Sequence, residues 1–191
     1  MRVLGIDPGL RSTGWGVVSI SQGRLQHIAN GAIRPNPGES DANRLVMIYA
    51  GLSSVIADTK PNRAAIEDIF VAKSARSALR LGMARGVGIL ACGVAQIDVS
   101  EIAARAVKKA VVGTGTASKE QIQDMVARLL QVRAFNADAA DALAIAIAAS
   151  NDAGKSAGVA LRSAQFAPDE SLSKAIRMAL ARDDAKPRGK T

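Results

Sequence analysis

The order of strand-like and helix-like segments most restricts the fold of this chain. Three strands are predicted in succession, at residues 2–7, 13–20 and 24–33, separated by Pro8-Gly9 and by a turn at 21–23. Helix and strand patterns then alternate. The first predicted helix is marked by Leu45, Ile48, Leu52 and Val55 and ends before Lys60-Pro61. The later helices cover 74–91, 101–109, 118–130 and 138–150, and the strands between them cover 64–67 and 94–99. This order predicts an α/β domain with a mixed sheet flanked by helices.

The regular pattern stops near residue 150. Residues 151–168 hold few large apolar side chains, whereas Leu172, Ile176 and Leu180 have the spacing of one amphipathic helix. The last nine residues, 183–191, are polar. We therefore expect a folded domain over residues 1–150. A C-terminal tail over 151–191 would contain one short amphipathic helix and then a disordered basic end.

The charge balance favours a polyanionic partner. Lys and Arg number 25 against 17 Asp and Glu, a net charge of +8, and residues 60–119 hold ten basic but four acidic side chains. One Cys and one His exclude an internal disulfide and a Cys/His zinc site. The sequence shows neither a signal peptide nor an uninterrupted apolar stretch of membrane-spanning length, so we expect a cytoplasmic protein without a membrane partner.

Acidic residues follow two of the predicted buried strands. Asp7 ends the first strand, where open α/β sheets place their sites, although a simple turn aspartate would look the same. Glu67 and Asp68 end the strand at 64–67 and point to opposite faces of the sheet. Burial of either acid is costly unless it is paired or bound to a metal. The pattern leaves open which of the two faces a site.

Asp138 and Asp141 form the most informative pair of acids. Their spacing places both on one face of a helix, near the N-terminus, where the helix dipole favours negative charge. An N-cap role for Asp138 and a first-turn role for Asp141 are the alternative. Together with Asp7 and Glu67 they offer hard oxygen ligands, which suit Mg²⁺ or, as a substitute, Mn²⁺. Two such ions about 4 Å apart would activate water and stabilise a leaving 3′-oxygen.

Several blocks of the sequence together resemble the RuvC family of Holliday-junction resolvases. The blocks are GIDPGLRSTGWG at 5–16, AIEDIF at 65–70, SALRLGMARG at 77–86, VVGTGTASK at 111–119 and NADAADALA at 136–144. Their order and number make the resemblance specific over residues 1–150. The chain continues for about forty residues beyond the usual end of the family.

The resemblance implies a ribonuclease H-like fold and a homodimeric endonuclease that nicks opposed strands of a four-way DNA junction during recombination and repair. It implies Asp7, Glu67, Asp138 and Asp141 as catalytic metal ligands, and so favours Glu67 over Asp68. Lys119, at a predicted helix start that suits phosphate, is the expected catalytic lysine. The predicted DNA contacts are Phe70, Lys73, Arg76, Lys108 and Lys109. A branch-migration motor complex is the expected further partner.

Gly82 and Gly86 lie four residues apart on a predicted helix. Each glycine destabilises that helix by about 1 kcal/mol relative to alanine. This predicts close packing there, against the sheet or against a second subunit.

Two other functions fit parts of the sequence. An actin-like ATPase or sugar kinase also has a strand followed by Asp-x-Gly, but such proteins need two lobes and a longer chain. A non-catalytic DNA-binding module would explain the charge, but it gives no reason for Asp138 and Asp141 beside Asp7 and Glu67. Metal-dependent cleavage of junction DNA would separate the three functions.

Overall fold

A computed structural model describes residues 1–68 and 74–152. The predictions for Phe70, Lys73 and the tail beyond 152 lie outside these residues. The domain contains a five-stranded sheet in the order β3-β2-β1-β4-β5. The strands are β1 Arg2–Asp7, β2 Thr13–Ser21, β3 Arg24–Ile33, β4 Arg63–Asp68 and β5 Val99–Ala103.

The sheet is mixed, as predicted. The first three strands pair antiparallel, whereas β4 runs parallel to both β1 and β5. Parallel pairing of β1 with β4 brings the C-terminal ends of these two central strands to the same edge. Asp7 and Glu67 therefore lie at the same edge of the sheet, on neighbouring strands.

Helices cover both faces of the sheet. The helices are α1 Asp41–Thr59, α2 Ala75–Val94, α3 Ala104–Val112, α4 Lys119–Leu130 and α5 Ala137–Asp152. One apolar cluster joins Leu4, Ile6 and Ile66 to α1 and α2. A second cluster joins Val3 and Ala65 to α3, α4 and α5. The two clusters reflect the alternation of side chains along buried strands.

The central helix α5 lies directly on β1 and β2. A Cβ added to Gly5 would collide with the carbonyl oxygen of Ala142, and one added to Gly14 would collide with that of Asp138. Glycine at both positions lets the helix backbone approach the strands more closely than any side chain would allow. This approach brings the start of α5 to the edge where β1 ends.

Two predicted boundaries between residues 91 and 109 are wrong. The predicted strand at 94–99 begins at Val99 instead, and the predicted helix at 101–109 begins at Ala104. Ala91 and Cys92 are buried, and helix α2 continues past them to Val94 before a turn with Gln96 at φ 58°. The strand then extends to Ala103 because it pairs with β4 as far as Asp68.

Helix α2 has the length and composition of a membrane span, alone among the helices in the described part of the chain. Those two properties are weak evidence for such a segment. The helix packs through Ala84, Gly88 and Ala91, and Arg80 and Arg85 form ion pairs within the domain. These contacts are those of a helix in a globular domain.

Candidate active site

Asp7 and Glu67 come from adjacent strands and face the same helix. Asp7 is the last residue of β1, and Glu67 is the penultimate residue of β4. Ala65 lies in the apolar cluster beneath α5. Alternation along β4 therefore directs Glu67 to the α5 face and Asp68 to the other face. The structure thus selects between the two acids that the sequence pattern left open.

Asp138 and Asp141 lie in the first turns of α5. The backbone N–H of Ala139 donates to Asn136 Oδ1 at 2.8 Å, so Asn136 caps this helix. The alternative in which Asp138 serves only as the N-cap is therefore wrong. Because α5 approaches Gly14 of β2, and Gly14 pairs with Asp7, the helix start lies next to the end of β1.

Electrostatic coupling shows that the four carboxylates share one site. Burial, and then repulsion from Asp141, Glu67 and Asp138, raises the pKa of Asp7 to about 7, against a lowering effect of Lys119. Burial and repulsion from Asp141 also raise the pKa of Glu67. The site therefore carries more negative charge than its lysines neutralise.

Lys119 is the cation in direct contact with this site. Its Nζ lies 2.6 Å from Asp141 Oδ2, and this hydrogen bond raises the pKa of Lys119. The predicted capping box between Ser118 and Gln121 is present and begins α4 at Lys119. The helix start thus fixes the backbone of Lys119 opposite Asp141.

The other predicted basic residues differ in their positions. Lys108 is half-buried, and its Nζ donates to the carbonyl of Ala117 at 2.9 Å, which ties α3 to the loop before Lys119. The positive charge of Lys108 also lowers the pKa of Glu67, against the larger effect of burial. Lys109 and Arg76 are exposed, and within residues 1–68 and 74–152 neither pairs with these carboxylates. The structure brings Lys108, but not the other two, to the acidic site.

Polar contacts to Asp138 were not identified from the sequence. Ser12 Oγ donates to Asp138 Oδ2 at 2.6 Å, and Asn136 Nδ2 donates to the same oxygen at 3.2 Å. Both donors therefore bind the same oxygen of the Asp138 carboxylate. Hydroxyl and amide residues beside the acidic motifs were the signal that could have revealed this arrangement.

Two arginines support the strand ends that carry the acids. Arg85 of α2 donates from Nε to the carbonyl of Glu67 at 3.4 Å and pairs with Glu101 at 2.6 Å. Buried Arg44 of α1 donates from Nη2 to the carbonyl of Leu10 at 2.8 Å, in the loop after Asp7. One contact joins α2 to a strand end and the other joins α1 to a loop, over 18 and 34 residues of sequence, so local patterns do not reveal them.

The residues of the site fit a divalent metal. Among the described residues, no three acidic, His or Cys side chains are already gathered at metal-binding distance. Instead, Asp141 forms an ion pair with Lys119, and Asp138 accepts a hydrogen bond from Ser12. The site nevertheless offers hard oxygen donors, which a cation such as Mg²⁺ requires, and burial and then repulsion raise the pKa of Asp7 and Glu67 among them.

Fold and site together define a nuclease that depends on metal ions. The chain is also similar to known proteins over most of its length. Residues 3–149 match the family model "Crossover junction endodeoxyribonuclease RuvC". Curated relatives of that name from Paramagnetospirillum magneticum and Zymomonas mobilis are 51% identical over 148 residues and 45% identical over 163 residues. The alignments cover 77% and 85% of this chain, and 89% and 98% of those relatives.

A solved structure of Thermus thermophilus RuvC in complex with a Holliday junction substrate has the same fold. The two structures superpose with a TM-score of 0.74 at 30% sequence identity. The superposition covers 78% of this chain and 93% of the Thermus thermophilus chain. The chain therefore belongs to the RuvC family of crossover junction endodeoxyribonucleases. It is a metal-dependent nuclease that resolves Holliday junctions, and its fold is ribonuclease H-like. The kinase-like and purely DNA-binding alternatives are thereby excluded.

Proposed function

We propose that Asp7, Glu67, Asp138 and Asp141 hold two Mg²⁺ ions, which Mn²⁺ can replace, and that this centre cuts junction DNA. The observation that carries the proposal is geometric: Asp7 and Glu67 end neighbouring parallel strands next to the first turns of α5, which bear Asp138 and Asp141. Burial, and then repulsion from the other three carboxylates, raises the pKa of Asp7 to about 7. When bound, such ions activate water for attack on phosphorus and neutralise the leaving 3′-oxygen. The four carboxylates bind and orient the centre, and burial limits the water around them.

Lys119 acts beside these acids on the scissile phosphate. It neutralises Asp141 across 2.6 Å and begins α4, where unpaired backbone N–H groups favour a phosphate. A cation at that position stabilises the charge that grows as the P–O3′ bond breaks. Lys108 holds the loop before Lys119 through the Ala117 carbonyl. We therefore assign Lys119 to the chemical step and Lys108 to its placement beside the DNA.

A homodimer would match the symmetry of a four-way junction, which presents two equivalent strands for cutting. Helix α2 supplies the surface for it. A Cβ added at Gly82 or Gly86 meets nothing within 4 Å, so neither glycine packs against the sheet. Leu79 and Leu90 on the same helix are 66% and 55% exposed. An apolar helix face with open glycines fits close packing against a second subunit.

Four-way junction DNA is the partner that the family implies, and the relative from Thermus thermophilus is described in complex with it. We propose that the DNA lies across the edge where β1 and β4 end, over the basic side chains near it. Lys109 and Arg76 are exposed and available for phosphate contacts. Phe70 and Lys73 are proposed as further DNA contacts. A branch-migration motor complex is the proposed further partner.

Cleavage of a labelled four-way junction tests the proposed ligands. Each of Asp7→Asn, Glu67→Gln, Asp138→Asn and Asp141→Asn should abolish cutting in Mg²⁺ but keep junction binding, since removing an acid lowers repulsion from phosphate. Asp124→Asn, an exposed acid of α4, is the matched control and should cut normally. Near-normal cutting by the Asp7 or Glu67 variant would show that the metal lies elsewhere. Calorimetric titration with Mn²⁺ gives the number of ions, for which we expect two per subunit.

A further inference from the structure

Phe135 is an exposed aromatic residue close to the acidic site. It lies in the loop between α4 and α5, three residues before Asp138, and 66% of its surface is exposed. Aromatic residues make up 3% of the chain. Phe135 therefore presents an aromatic ring to solvent on the loop that leads into the site.

The loop that carries Phe135 is tied to β3. The backbone N–H of Phe135 donates to Asn30 Oδ1 at 2.7 Å, and Asn30 Nδ2 lies 2.8 Å from His27 Nε2. The guanidinium carbon of Arg34, which follows β3, lies 5.9 Å from the centre of the Phe135 ring. The ring is therefore held outward at a fixed place, with an arginine over it.

Arg34 follows β3, and β2 alone separates that strand from Asp7 at the end of β1. Ile33, the last residue of β3, pairs with Thr13 of β2. Gly14, the residue after Thr13, pairs with Asp7 of β1. A DNA strand that crosses the carboxylates can therefore extend toward Arg34.

The charge on this flank is basic without compensating acids. Residues 22–38 and 125–137 contain no Asp or Glu. They contain exposed Arg34 just after β3, and exposed Arg128 and Arg133 in the segment that leads to Phe135. Such a surface attracts phosphate along its length and suits nucleic acid better than a mixed protein surface.

We propose that Phe135 and Arg34 form a second DNA contact, in which the ring stacks on an unpaired base of the junction and the arginine contacts a neighbouring phosphate. An aromatic ring beside basic residues is the usual platform for an unstacked base, and the stacking tolerates any sequence. This inference rests on the proposed placement of DNA over the strand ends. It adds a contact outside the carboxylates and the lysines.

Fluorescence anisotropy with a labelled four-way junction in EDTA measures binding without cleavage. Phe135→Ala should weaken binding about five- to tenfold, within the range for loss of one stacked base. Leu129→Ala is the matched control, because Leu129 is an apolar residue of α4 that is 43% exposed, and its affinity should stay within about twofold of the original. Arg34→Ala should lower the slope of log affinity against log salt by about one, whereas Phe135→Ala should leave that slope unchanged.

A Phe135→Trp variant reports stacking directly. Its indole emission should be quenched when junction DNA is added, beyond the change shown by Trp15 in the unmodified protein. Unchanged affinity of Phe135→Ala together with no added quenching overturns the proposal. So does a Phe135→Ala variant that sediments as a monomer where the original is a dimer, because the ring then contacts a second subunit. If the unmodified protein itself does not bind the junction, the proposed DNA partner fails first.

Discussion

Replacing Asp7 with asparagine should stabilise the metal-free protein at high pH, although it removes a proposed metal ligand. Burial and the neighbouring carboxylates raise the pKa of Asp7 from 3.8 to about 7. The folded protein therefore holds this proton more tightly than the unfolded chain does. Stability is consequently lost as pH rises from about 4 to about 7. Asparagine keeps the shape of the side chain and removes the charge that causes this loss.

The size of the effect follows from the same shift. A pKa change from 3.8 to about 7 corresponds to about 4 kcal/mol. Asp7 is half-buried, so solvent screens part of this energy, and we expect Asp7→Asn to gain on the order of 2 kcal/mol at pH 8. Most of the gain should disappear at pH 4. Urea unfolding in EDTA at both pH values, monitored by circular dichroism, measures the difference.

Magnesium separates this explanation from a simple gain in packing. Saturating Mg²⁺ should raise the unfolding free energy of the unmodified protein by about 3 kcal/mol at one hundred times its dissociation constant. The Asp7→Asn variant should gain much less. Asp124→Asn, the exposed control, should match the unmodified protein throughout. An Asp7→Asn variant that is less stable than the original in EDTA at pH 8 would falsify the electrostatic reasoning.

Three further predictions concern the neighbouring residues. Lys119→Ala should lower the single-turnover cleavage rate at saturating protein by about 10²-fold with a much smaller loss of junction affinity; an unchanged rate would make it an ordinary phosphate contact. Gly86→Glu should leave the fold intact, because its Cβ meets nothing within 4 Å, but shift sedimentation from dimer to monomer; a persistent dimer would place the interface elsewhere. Ser12→Ala should raise the Mg²⁺ concentration for half-maximal cleavage about threefold, since Asp138 loses its 2.6 Å donor; an unchanged metal dependence would show that Ser12 does not orient Asp138.

The sequence predicted most elements of the fold because their signals are local. Strands β1 and β3 were predicted with the bounds found in the structure, since each is bordered by turn residues. The start of α4 followed from its capping box. The boundary between α2 and β5 was missed because the residues there, Ala91 to Val99, contain no proline or charged break until Asp98. Pairing with β4 decides where that strand begins.

The acids of the site were predicted more completely than the residues around them. Each acid stands next to a recognisable strand or helix end. The contacts of Ser12, Arg44 and Arg85 join segments that are between 18 and 126 residues apart. Pattern analysis along the chain does not identify such partners. Their chemistry is ordinary, and only the fold brings them to the site.

Helix α5 packs closely on β1, and it is synthesised after the strands on which it packs. Asp7 and Glu67 leave the ribosome early, whereas Asp138 and Asp141 arrive with the last helix that the structure describes. The strands present bare glycine backbone where that helix will dock. A nascent chain that ends before residue 138 carries two of the four proposed metal ligands. The proposed centre is therefore completed only when α5 docks on the strands.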